Sequence, residues 1–275
     1  MCIYKFHAWH NRTGNHLIAL INLLHFAFIE NKGCKIEIPN HPFFKLKSYE
    51  NLEKSHSLCC TCNKVHDLTR RFNPCGNVTL DFDTIKYLFD KYINVNITND
   101  HQDFYDICIH IRGGDIFNNL VHGMYVQPPL DYYLKIINLN TDSKICIISE
   151  DESNPVVPYL KKYVYKHKLK KKVTFKSSTI ENDIMSLART RNLVFSFGTF
   201  CVLPFLISNT IRNIYIPKSV DTMHWFKTRS SNVKVNVIDF SRKYFDRWHN
   251  SEKERAIMMN YILEDKDQID KITNI

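Results

Sequence analysis

A chain of 275 residues with 44% hydrophobic and 24% charged residues is ordinary globular material, long enough for one large domain or two of medium size, and its composition excludes disorder as the default state. The net charge of +9 invites a nucleic-acid reading, yet eight lysines fall between Lys161 and Lys176 with no acid among them, leaving +1 for everything else. The basicity is local, and no stretch approaches the about 20 apolar residues needed to span a bilayer.

Residues 2–7 read as a strand and residues 15–31 as a helix apolar on nearly every side (Leu17, Ile18, Leu20, Ile21, Leu23, Leu24, Phe26, Phe28), which belongs in a core. Gly33 supplies the helix stop, and residues 34–38, ended by Pro39, form a second strand, so the chain opens as a βαβ unit. Between residues 40 and 101 the pattern loosens into polar loops, a cysteine-rich patch and one helix over 84–93. From residue 106 the alternation resumes, with strands over 106–112, 144–149, 172–176, 192–197 and 212–216 and helices after Pro128 and over 156–167, 181–190 and 199–208. Parallel strands need crossover connections, so this alternation predicts a parallel sheet covered on both faces, a Rossmann-type arrangement. Two such βα regions in tandem, divided near residue 105, place a ligand at the carboxyl ends of the strands in a cleft between them. The tail over 251–272 reads as a closing amphipathic helix.

Nine cysteines is an odd number, and Cys108, Cys146 and Cys201 sit in apolar runs, so free thiols in a reducing compartment are expected. The chain opens Met-Cys-Ile-Tyr-Lys-Phe-His without the long apolar run of a secretory signal. Of three sequons, Asn11, Asn77 and Asn96, the first falls in a loop expected to serve the site, so the expected location is cytoplasmic. Cys59, Cys60, Cys62, His66 and Cys75 lie close enough together to bind a structural zinc, and Cys-x-Cys pairs occur in metal sites, but no metal is expected. The lysine run covers a helix end and the loop beyond it, where cations complement the helix dipole; it reads as a solvated face rather than a patch for nucleic acid or an anionic membrane.

The residues able to do chemistry gather at strand ends. Ile107-Cys108-Ile109-His110-Ile111-Arg112-Gly113-Gly114-Asp115 is an apolar strand whose polar residues come at its carboxyl end, followed by two glycines and an acid. A diphosphate suits it: the Arg112 fork pairs bidentately with phosphate oxygens, glycines let backbone N–H groups approach an anion, and Asp115 can hold the loop or the arginine. On those residues alone a structural Arg112–Asp115 salt bridge is the competing reading. Asn11-Arg12-Thr13-Gly14-Asn15 joins the first strand to the first helix, giving either an anion site built from Arg12, the Asn15 amide and a helix N-terminus, or a turn capped by Asn15. Asn192 to Phe200 runs a buried strand into Ser196, Gly198 and Thr199, which can give hydroxyl and backbone donors to phosphate. Residues 127–133 read as a loop entering a helix at proline, with the tyrosines packing or lining the cleft.

These segments, in this order, resemble the fucosyltransferase-like superfamily, which includes bacterial α-1,2-fucosyltransferases, α-1,6-fucosyltransferases and protein O-fucosyltransferases. His110-Ile-Arg112-Gly113-Gly114-Asp115 resembles the first donor motif, a His-x-Arg segment gripping the diphosphate of a GDP-sugar, and Arg12-Thr-Gly14-Asn15 resembles the N-terminal Arg-x-Gly-Asn loop. The segment from Asp183 to Ser196-Phe-Gly198-Thr199-Phe200 resembles the last donor motif, and Ile148-Ser-Glu150-Asp151 the acidic loop that contacts base or ribose. Many members carry a second arginine directly after the first; this chain has Gly113 there, which leaves the donor open.

The resemblance implies an α/β protein of GT-B type, two Rossmann-like domains with mainly parallel sheets facing a cleft. Residues 1–105 would form the acceptor side, 106–245 the nucleotide-sugar donor domain, and 246–275 a C-terminal helix packing back. It implies an inverting glycosyltransferase needing no metal and no cofactor beyond its donor, GDP-fucose favoured over a UDP-sugar, with a glycan or glycoconjugate acceptor. Arg112, Arg12 and helix N-termini would stabilise the departing diphosphate, work that a divalent cation does elsewhere. The acceptor proton could pass to His7, His16, Asp115 or Glu150; Arg112, His16 and Asp115 are the expected catalytic residues. The expected donor-binding set is Arg12, Gly14, Asn15, His110, Arg112, Gly113, Gly114, Glu150, Asp151, Asp183, Ser196, Gly198, Thr199 and Phe200. Two other readings stay open: the same scaffold with another UDP- or GDP-linked pentose or hexose, and a non-catalytic binder of sugar nucleotides, glycans or nucleic acid, the last through Lys161 to Lys176 and not the expected partner. The oligomeric state is not legible.

Overall fold

Continuous apolar runs make strands buried on both faces, and amphipathic segments between them make the helices that cover those faces. The computed structural model describes residues 3–6, 13–25, 35–47, 65–68, 82–97, 103–118, 123, 125–217, 233–238, 240, 244 and 247–263, and the chain divides into two units, Met1–Thr98 and Asn99–Ile275.

In the first unit β1 (Ile3–Phe6), α1 (Thr13–His25) and β2 (Lys35–Glu37) are followed by β3 (Phe44–Leu46), β4 (Val65–Leu68), α2 (Phe82–Tyr92) and β5 (Ile93–Val95). β1 lies between β2 and β4, parallel to both, so the βαβ opening is present; β3 and β5 form a separate antiparallel pair. Leu17, Leu20, Ile21, Leu23 and Leu24 of α1 are fully buried, and α1 packs against α2. α1 starts at Thr13 rather than at residue 15, which puts Gly14 and Asn15 in its first turn. β3, β4 and β5 were not expected, because strands of three or four residues are too short to display a period.

The second unit runs β6 (Tyr105–Ile111), a 3-10 turn (Gly114–Phe117), α3 (Leu130–Leu139), β7 (Ile145–Ser149), α4 (Val156–Lys166), a second 3-10 turn (Leu169–Lys171), β8 (Val173–Lys176), α5 (Ile180–Ala188), β9 (Thr190–Val194), α6 (Val202–Ile207), β10 (Asn213–Pro217), β11 (Lys234–Ile238) and α7 (Glu252–Asn260). Its six strands are parallel, in the order β11-β10-β9-β6-β7-β8. Strands are laid outward from β6 to β8, and the chain then returns to β9 and builds outward on the other side, giving a doubly wound, Rossmann-like sheet whose direction of winding reverses between β6 and β9. The interior matches: every residue of β7 is buried, as are Ile107, Ile109 and Ile111 of β6, Tyr132 and Ile136 of α3, and Leu160 of α4.

Several boundaries differ from the sequence reading. The strand expected over 192–197 closes at Val194, and the helix expected from 199 opens at Val202; Phe195 and Phe197 are buried in an irregular stretch, and burial rather than strand geometry selected them. The helix expected over 251–272 is described only over Glu252–Asn260. Ser251 and Glu254 form a capping box at its start, and beyond Tyr261 the chain straightens so that the Leu263 N–H reaches the Asp131 carboxylate at 2.8 Å. The edge strand β11 was missed. Cys108, Cys146 and Cys201 are buried free thiols, whereas Cys59, Cys60, Cys62 and Cys75 lie outside the described residues and His66 is placed only by the backbone of β4. No helix among the described residues is long and apolar enough to cross a membrane.

Candidate functional site

The register of the sheet decides what meets at the reversal point. Ile111 stands opposite Ser149 of β7, and Ile109 opposite Val194 of β9, so Arg112, the loop after Ser149 and the loop after Val194 leave the sheet side by side at one rim. The Arg112 N–H donates to Ser196 Oγ at 2.9 Å, and its carbonyl accepts from Asn154 Nδ2 at 3.0 Å, so the first residue beyond β6 is tied to both neighbouring loops. Ser196 Oγ also lies 3.3 Å from His110 Nδ1. Ser196 Oγ, which accepts the Arg112 amide, thus links the His110 imidazole to the backbone at the end of β6. The His110 ring rests against Phe200, centroids 5.0 Å apart.

The Arg112 side chain is 9% exposed. Nη2 donates to Asp115 Oδ1 at 3.1 Å, and the guanidinium lies over the Tyr125 ring, 4.7 Å from its centroid. A Cβ on Gly198 would fall 2.6 Å from Nη1, and Gly198 has a φ of +122°, so only glycine leaves the guanidinium its place. The salt bridge foreseen as the bland alternative therefore exists, but Asp115 is 52% exposed and Nε is buried with no hydrogen-bond partner among the described residues. A buried charged donor left unsatisfied is unfavourable and calls for a further acceptor.

The two glycines answer to carboxylates. A Cβ on Gly113 would meet Asp151 Oδ1 at 2.4 Å; Gly114, at a φ of +67°, would bring one to 2.6 Å from Glu150 Oε2. The Gly114 N–H donates to Ser153 Oγ at 2.9 Å and Asp151 Oδ1 at 3.2 Å, so this amide serves the loop itself. Asp183, in the first turn of α5, is buried and accepts from Ser178 Oγ at 2.8 Å, apart from the Arg112 network; burial raises its pKa while Ser178 and Lys176 oppose. Thr199 supplies the carbonyl that accepts the Val202 N–H at 3.1 Å, opening α6.

Beside Asp151 a cavity of about 200 Å³ opens between the carboxyl ends of β7 and β8 and the start of α4. Ile147, Val157 and Phe175 form its apolar part, and Ser149, Asp151 and Lys176 are among its polar groups. Asp151 thus borders both the glycine turn and this cavity.

Sequence reasoning missed the groups that brace the rim. Asn154, 1% exposed, accepts the Val156 N–H with Oδ1 while its amide holds Arg112; an Asn-Pro pair before an amphipathic run was the available signal. Trp248, fully buried, donates from Nε1 to the Ile116 carbonyl at 3.1 Å and stacks edge-on against Phe117; Arg255 and Asn250 donate to the carbonyls of Phe117 and Asn118 at 3.3 Å. Residues 248–255 thereby clamp the turn that follows the glycines.

The remaining expected residues belong to the first unit or are not described. Gly14, Asn15 and His16 lie in the first turns of α1. His16 Nδ1 is 3.1 Å from His41 Nε2, and His41, stacked on Phe44, has its pKa lowered to about 4 by burial first and by His16 second. Arg12 and His7 lie outside the described residues. No family model, curated protein or solved structure matches this chain.

Proposed function

We propose that the chain is an inverting glycosyltransferase of GT-B type that takes a sugar, GDP-fucose being the favoured donor, from a nucleoside diphosphate and passes it to a glycan or glycoconjugate without a metal. The observation that carries the reading is Arg112, a nine-tenths buried guanidinium at the winding reversal of a doubly wound sheet, with Nε lacking a partner among the described residues. Ligands of such sheets bind at this point outside the strand carboxyl ends. A β-phosphate oxygen is the acceptor that Nε calls for, and fork-to-phosphate pairing is the geometry arginine supplies best.

In the displacement, the acceptor oxygen bonds to the anomeric carbon as the bond to the β-phosphate oxygen breaks, and the electron pair leaves with the diphosphate. Arg112 stabilises that growing charge in a site of low polarity. Asp115 and Tyr125 keep the guanidinium aimed, and Glu150, beside Gly114, or Asp115 itself receives the acceptor proton. The nucleoside is assigned to the cavity beside Asp151, at the end of the second strand laid down in the sheet, where doubly wound folds set an acid against a ribose hydroxyl. The same acid favours a second reading of the donor. Asp151 Oδ1 occupies the space where a side chain at residue 113 would begin, so the second arginine that many members of the resembled family carry there is lost to a glycine packed on a carboxylate, and this leaves room for another UDP- or GDP-linked pentose or hexose as donor.

Calorimetric titration with GDP, UDP and ADP, with and without magnesium, tests both. Selective, magnesium-independent GDP binding that weakens in Arg112→Ala supports a GDP-sugar donor, with hydrolysis of GDP-fucose against other GDP-linked sugars separating the two readings, and selective UDP binding supports the second. The absence of any nucleotide binding by the folded chain overturns the enzyme assignment.

A further inference from the structure

The lysine run is the strongly charged feature that the candidate site does not absorb. Val156, Val157, Leu160 and Val164 are the buried positions of α4, so Tyr159, Lys162 and Lys166, spaced by three and four, form a stripe on its outer face. Three of the eight lysines are paired: Lys161 with Glu152 at 2.5 Å, Lys172 with Asp142 at 2.7 Å, and Lys176 with Asp103 at 2.9 Å. The other five, Lys162, Lys166, Lys168, Lys170 and Lys171, are exposed and make no ion pair among the described residues. Two large rings stand out among them: Tyr165 is 68% exposed, with the Lys170 ammonium 4.1 Å from its centroid, and Tyr159 is 44% exposed. α4 starts beside the Arg112 rim and ends near the opening of β8, so its carboxyl end and the turn Leu169–Lys171 lie at the opposite rim of the sheet.

We infer that this face docks onto a membrane surface rich in anionic phospholipid, with the five free lysines supplying attraction and Tyr165 the anchor at the water–lipid boundary. Lys162 and Lys166 on α4 with Lys168, Lys170 and Lys171 beyond its end make a cluster of the size that answers to the smeared potential of such a surface, and an outward tyrosine fits the headgroup layer. The absence of arginine from residues 161–176 removes the fork that planar, bidentate recognition favours, whereas an outward Tyr165 suits the interfacial layer of a lipid surface. Docking by this rim leaves the Arg112 rim on the far side of the sheet from the lipid, and the inference stands whether or not the catalytic reading does.

The test is co-sedimentation of the full chain with vesicles of phosphatidylcholine alone and with vesicles containing about a third phosphatidylserine, across a salt series. Binding is expected only to the anionic vesicles, falling steeply with salt. It should drop by about 100-fold or more when Lys162, Lys166, Lys168, Lys170 and Lys171 are all replaced by Gln, and by several-fold in Tyr165→Ser. All six side chains are exposed, so both variants should keep the wild-type circular dichroism and Tm. Equal binding to neutral and anionic vesicles, failure to bind either, or unchanged binding by the five-lysine variant overturns the inference. Tighter binding of a single strand of about 20 nucleotides through the same lysines also overturns it, and makes the face a nucleic-acid surface.

Discussion

The two rims of the six-stranded sheet handle positive charge in opposite ways. At the carboxyl rim a single guanidinium is nearly buried, paired with Asp115, laid over Tyr125 and fixed through its backbone to Ser196 and Asn154; toward the amino rim, from the outer face of α4 to the turn beyond it, five lysines are exposed without ion pairs among the described residues. Burial makes one cation directional and intolerant of displacement, whereas exposure makes several additive and interchangeable. Changes at the first rim should therefore be large and geometric, and those at the second small and a matter of counting charges.

The largest effect belongs to Arg112. Arg112→Ala should weaken nucleoside diphosphate binding by about 100-fold or more, and Arg112→Lys should restore little of it, since a point charge cannot replace the fork. Calorimetry beside thermal melts checks this, and wild-type affinity in Arg112→Lys would break the comparison at its centre. Gly198→Ala comes next. A methyl group 2.6 Å from Nη1 on a backbone with a φ of +122° should destabilise the fold by about 1–3 kcal/mol and loosen nucleotide binding with it. Trp248→Phe keeps a ring against Phe117 but loses the donation to Ile116; about 1–2 kcal/mol in a urea titration is expected, with a weaker effect on affinity.

A pH series sharpens the picture at the clamp. Burial works against the charge of Glu254, but hydrogen bonds from Ser251 and His249 outweigh it and hold the carboxyl below the ordinary carboxylate range. The stability it contributes is present above the unfolded glutamate pKa and is lost as pH falls through the lowered folded value, so acid should loosen α7, and Glu254→Gln should flatten that slope. The smallest effect is expected at the amino rim. The five-lysine variant should change Tm by less than about 2 °C and leave nucleotide affinity alone.

Much of the second unit was legible because its strands hold apolar runs separated by helix-period segments, as over residues 107–109 and 145–148. The order of those strands was not, because it is set by packing between segments far apart in the chain. Arg112 was found because a polar residue closing an apolar strand is a local signal. Trp248, Asn250 and Arg255 were not, since their partners lie 132 to 138 residues away. Gly113 read as a missing cation; the fold adds that Asp151 fills the space, a relation between two loops that no window of sequence contains. In the first unit the short strands carry too few residues to declare themselves.

The clamp by Trp248 also bears on how the chain is made. All six strands of the sheet have been synthesised by Ile238, before Trp248 is added. The residue that pins the turn beyond the glycines therefore lies after every strand of the sheet, and its donation to Ile116 closes a loop of 132 residues. A chain lacking residues 248–255 would keep all six strands of the sheet yet leave that turn without its clamp, so formation of the sheet alone is no measure of an ordered rim.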